Sequence, residues 1–97
     1  MNLSTKQQDL YDKFYESTHE TDALDTKTEC LVGLAAAMAS NCEPCTTFYL
    51  KRCQSNRVSK QEIQAVLAKV MAVAAGQKRL QSKRSLDKAN ITLDDFA

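Results

Sequence analysis

Ninety-seven residues fit a single domain, and 43% apolar with 26% charged residues is ordinary for a soluble globular chain. Thirteen Lys and Arg against twelve Asp and Glu leave a formal net charge of +1, which argues against nucleic acid or a membrane surface as the partner of the whole domain. The longest apolar stretch, Leu31 to Ala39, is alanine-dominated and far too short to span a bilayer, and the first residues lack the apolar run of an export signal, so a cytoplasmic location is expected.

One Pro, two Gly and no sustained apolar/polar alternation make the chain all-α. A first helix starts at Ser4, where Ser4 and Gln7 have capping-box spacing, and carries the stripe Leu10, Tyr11, Phe14 and Tyr15. Ser17 to Leu24 is polar and acidic and reads as a loop, with His19 in it as a surface residue. A second helix follows Asp25, a good N-cap, and ends near Ser40, with Asn41 suited to a left-handed stop. A third begins at Cys42-Glu43-Pro44-Cys45 and runs to about Gln54, since Pro is tolerated in a first turn. Ser59 and Glu62 form a second capping box, followed by Ile63, Val66, Leu67, Val70, Met71 and Ala74 at helical spacing. Gly76 is expected to end or bend this helix, leaving Gln77 to Ala89 as a polar helical tail and about five helices in all. Burial is expected to centre on Leu34, Met38, Ile63, Val66, Leu67 and Val70.

The chemistry sits at Cys42 and Cys45. Two thiols three residues apart at a helix start approach closely enough for a disulfide, and free N–H groups with the positive helix end stabilise their thiolates. In a reducing compartment four cysteines are not structural staples, and a CxxC is more often catalytic or metal-binding. Two small buried apolar residues is the plainer reading. A zinc site would want a second close pair, whereas Cys30 and Cys53 are lone cysteines, read here as packed. Tyr49 lies one turn below Cys45, and a phenol is a poor base at neutral pH but still a hydrogen-bond donor. Glu43 suits the helix dipole, and Glu29 either faces solvent or turns inward toward the thiols. The cations Lys78, Arg79, Lys83, Arg84 and Lys88 form a solvated or ion-pairing face without interleaved aromatics, which argues against RNA.

The run from Leu24 through Cys42-Glu-Pro-Cys45, continuing through Val58-Ser-Lys-Gln-Glu-Ile63 to Gly76, resembles the core of the carboxymuconolactone decarboxylase/alkylhydroperoxidase D family, within a single domain spanning 1–97. The CxxC is similar to that of the alkylhydroperoxidase D-like branch. The resemblance implies an orthogonal all-α helical array, a homo-oligomer (trimer or hexamer), and reduction of a peroxide or disulfide substrate by the Cys42/Cys45 pair. It implies no cofactor beyond the redox disulfide and an external thiol reductant, protein or small molecule. That branch carries a glutamate twelve residues before its first cysteine and a histidine four after its second. Those positions are Cys30 and Tyr49 here, with Glu29 one residue off, so the dithiol carries over and the proton relay does not. By resemblance Cys45 attacks peroxide and Cys42 resolves, whereas position at the helix start favours Cys42 as nucleophile. Two alternatives stand beside this: a carboxymuconolactone decarboxylase-like enzyme, and a non-catalytic helical oligomerisation or metal-binding module.

Overall fold

The computed structural model describes residues 2–97. Four α-helices occupy them: α1 (Thr5–His19), α2 (Thr26–Ala39), α3 (Glu43–Ser55) and α4 (Lys60–Ala89), with a 3-10 turn at Leu93–Asp95 and no strand among the described residues. The chain is all-α, as its periodicity predicts, with four helices rather than five.

The helix starts follow the side chains that cap them. Ser4 Oγ accepts the Gln7 N–H at 3.2 Å, and Gln7 Oε1 accepts the Ser4 N–H at 3.3 Å. Ser59 and Glu62 repeat the device at 3.1 and 3.0 Å. Asp25 accepts the Thr28 N–H at 2.9 Å and opens α2. Asn41 takes the left-handed conformation (φ 57°) that turns the chain from α2 into α3.

Two boundaries differ from expectation. First, α1 does not stop before Ser17. The Ser17 and Thr18 hydroxyls donate back to the carbonyls of Phe14 and Tyr15, so these polar residues close a last helical turn that carries His19. Second, α4 passes straight through Gly76 and ends only at Asn90 (φ 56°). A helical glycine costs about 1 kcal/mol relative to alanine, too little to break a helix capped at both ends.

The core lies between α2 and α3. Cys30, Leu34 and Ala37 of α2 face Tyr49 and Cys53 of α3. Met38 and the α4 residues Ile63, Val66 and Leu67 pack against this cluster half-buried, and Val70 is half-buried as well. Of the six residues expected at the centre, only Leu34 is fully buried. The reason is that α2, not α4, is the central element, and α4 covers it from one side only. Gly33 permits the α2–α3 approach, because a Cβ there would overlap the Tyr49 ring.

The fold is extended. Its radius of gyration is 19.1 Å, against about 12.5 Å for a compact domain of this length. It exposes 8097 Å², where a folded monomer of this size exposes about 5,500 Å². The excess comes largely from α1 and the outer half of α4, neither of which buries any residue.

Candidate functional site

Cys42 is the N-cap of α3, its Sγ accepting the Cys45 N–H at 3.3 Å, and the two cysteines form a disulfide across the first turn. Asn41 presents this turn after the stop of α2, and Pro44 sits inside it without loss, since first-turn N–H groups have no helical partner. Both cysteines are half-buried. Cys45 lines a shallow open cleft with Tyr15, Pro44 and Phe48, a wall without a charged group.

An unbroken series of rings leads from this cleft into the protein. Tyr15 stacks edge-on against His19 with centroids 5.1 Å apart, and Phe48 and Tyr49 lie 6.2 and 6.3 Å from the same imidazole. The Tyr15 and Tyr49 hydroxyls share a hydrogen bond of 2.7 Å. Burial, followed by that bond, pushes the Tyr49 phenol well above its ordinary value. Tyr49 is therefore no base at neutral pH, in line with its reading from sequence, but it orients Tyr15.

Beneath the rings lies a cluster that no local spacing announces. His19 Nδ1 donates to Glu29 Oε1 at 2.9 Å. Arg52 donates to Glu29 Oε2 through Nε at 3.1 Å and Nη2 at 2.9 Å. Glu29 is only 8% exposed, so it turns inward. Burial alone would raise its carboxyl, but the bonds from His19 and Arg52 outweigh that and hold it below its ordinary 4.5. Cys30 Sγ lies 3.8 Å from the same carboxylate and accepts from Asn56 Nδ2 at 3.6 Å. Burial raises both the Cys30 and Cys53 thiols, which keeps them protonated and unreactive.

Cys45 packs against the cluster that holds Tyr49, Glu29 faces His19, Arg52 and Cys30, and Glu43 stays exposed on the first turn of α3. His19 is the correction: its side chain is 12% exposed and paired, not a surface group in a loop. It sits one turn after Tyr15, so α1 carries it inward when Tyr15 docks on Tyr49. Arg52 was equally invisible, because its partner lies 23 residues away on another helix. The only sequence hint was a carboxylate on the same first turn as the buried Cys30. A glutamate–histidine pair, absent at positions 30 and 49, is present in space from residues 29 and 19.

The all-α array and the helix-start cysteine pair define a small helical thiol protein. The chain belongs to the carboxymuconolactone decarboxylase family, whose pattern it matches over residues 6–88, reaching well beyond the core around 24–76. That family includes decarboxylases and alkylhydroperoxidases. No curated protein and no solved structure gives a significant match to the chain. None of the described helices is long and apolar enough to cross a membrane.

Proposed function

We propose that the protein is a thiol-dependent oxidoreductase that cycles Cys42 and Cys45 between dithiol and disulfide while reducing a peroxide or a disulfide. The observation that carries this reading is the Cys42–Cys45 disulfide on the first turn of α3, one sulfur of which lines an open cleft. The helix end and the Cys45 N–H favour the Cys42 thiolate, and the cleft exposes Cys45 to substrate.

A hydroperoxide is reduced in two steps. The Cys45 thiolate attacks the O–O bond, one oxygen stays on sulfur as a sulfenic acid, and the alcohol leaves with one proton. The Cys42 thiolate then attacks that sulfur, water departs, and the disulfide forms. An external dithiol returns two electrons and two protons by exchange. With Nδ1 donating to Glu29, the His19 ring keeps Nε2 as its basic nitrogen, and Arg52 fixes the carboxylate that orients the ring. We assign His19 the role of holding the proton that leaves the thiol and returns to the alcohol, through the Tyr15 hydroxyl or a water.

The cleft beside Cys45 holds no cation, and Arg52 is spent on Glu29, so nothing here recommends a decarboxylase acting on a carboxylate substrate. Dimedone trapping after peroxide treatment tests the assignment. Cys42→Ser should accumulate a labelled sulfenic acid at Cys45. Label confined to Cys30 or Cys53, or none at all, would overturn it.

A further inference from the structure

A second face of the molecule, away from the cysteine pair, is built to be covered. Between the end of α2 and the middle of α4 runs an open groove of about 700 Å³. Ala35, Met38, Val70, Val73 and Ala74 form its apolar walls, and Lys69 and Lys78 are the only charged residues that line it. At the far end of the chain stands a segment of matching chemistry. Leu93 and Phe96 are 74% and 62% exposed, with Asp94 and Asp95 between them. The Thr92 N–H donates to Asp95 at 2.8 Å and holds the segment in a 3-10 turn, where residues three apart share one side.

We propose that this groove takes the Ile91–Phe96 segment of a second copy of the chain. The segment does not reach the middle of its own groove. From the Asn90 cap, Val73 lies about 26 Å back along α4, and residues 91–96 fully extended span only about 20 Å, so they meet at most the Lys78 end. The surface balance agrees, since the excess exposure of about 2,500 Å² exceeds the roughly 800 Å² that each partner of a stable pair buries. Charge decides between occupants. The outer half of α4 would bring Arg79, Lys83, Arg84 and Lys88 onto Lys69 and Lys78. The stripe of α1 is flanked by Asp9, Asp12 and Glu16 but also by Lys6 and Lys13, so its carboxylates are largely compensated. Only the 91–96 segment offers apolar side chains with uncompensated carboxylates.

Sedimentation velocity and equilibrium at micromolar protein test this, with circular dichroism confirming the fold, and all substituted residues are exposed. The wild type should self-associate, and Leu93→Asp/Phe96→Asp should weaken association at least 100-fold. Lys69→Glu/Lys78→Glu should weaken it about 10-fold, and so should Asp94→Lys alone. Adding Asp94→Lys to the Lys69→Glu/Lys78→Glu protein should strengthen association, because the pair is then reversed rather than broken. A monomeric wild type would overturn the proposal. So would Asp94→Lys weakening both backgrounds equally, or Leu10→Asp/Phe14→Asp dissociating the protein while the 93/96 variant does not. None of these readouts depends on thiol chemistry, so the redox reading stands or falls separately.

Discussion

Glu29 is the residue on which the inner cluster turns. Removing Arg52 leaves a largely buried carboxylate with one partner instead of two. Arg52→Ala should cost about 2–3 kcal/mol in urea unfolding, somewhat under the full cost of breaking a buried pair because Arg52 is itself partly exposed. Acid should reveal the same pairing. A carboxyl held below 4.5 in the folded state stabilises in full above pH 4.5, and that contribution fades as pH falls through the lower folded value. Glu29→Gln should therefore flatten the loss of stability below pH 4.5, and an unchanged acid limb would show that Glu29 is not held down. Gly33 makes a second residue-scale case. Gly33→Ala should destabilise by about 1–3 kcal/mol by driving a methyl into the Tyr49 ring, and wild-type melting would mean that the ring yields. The cysteine pair at a helix start and Tyr49 one turn below Cys45 were legible from spacing, and Glu29 was legible only as a first-turn carboxylate with two possible orientations. His19 and Arg52 were not, because each acquires its meaning from a partner on another helix. The same acid residue that looked one position out of register is the one that gathers both.

At the scale of elements, caps and periodicity locate the helices well and their interiors poorly. Both capping boxes and the Asn41 stop are present where their residues stand. What misled was polarity: Ser17 and Thr18 read as loop but bond back within α1, and Gly76 read as punctuation but sits inside a helix with open space around its Cα. Gly76→Ala should accordingly raise stability by about 0.5–1 kcal/mol, since nothing obstructs the added methyl. A loss on that substitution would mean that the surface at Gly76 is occupied in the protein as it exists in solution. The apolar spacing places the core on Leu34 and Met38 of α2 and on Ile63, Val66, Leu67 and Val70 of α4. The core centres on α2 and α3 instead, because small residues there admit a closer approach.

At the scale of the molecule, one helix pair carries the buried core while two long surfaces stay open, so stability and assembly are expected to be linked. The melting temperature should rise with protein concentration, and a constant value from 1 to 100 μM would contradict that. The central claim is chemical, and thiol counting on the unfolded protein before and after mild peroxide tests it most directly. The wild type should fall from four titratable thiols to two and recover all four with a dithiol reductant. The Cys30→Ser/Cys53→Ser protein should lose both of its thiols, while Cys42→Ser and Cys45→Ser should each fail to form the intramolecular disulfide. Retention of all four thiols in the wild type, or a disulfide that maps to Cys30 and Cys53, would contradict it.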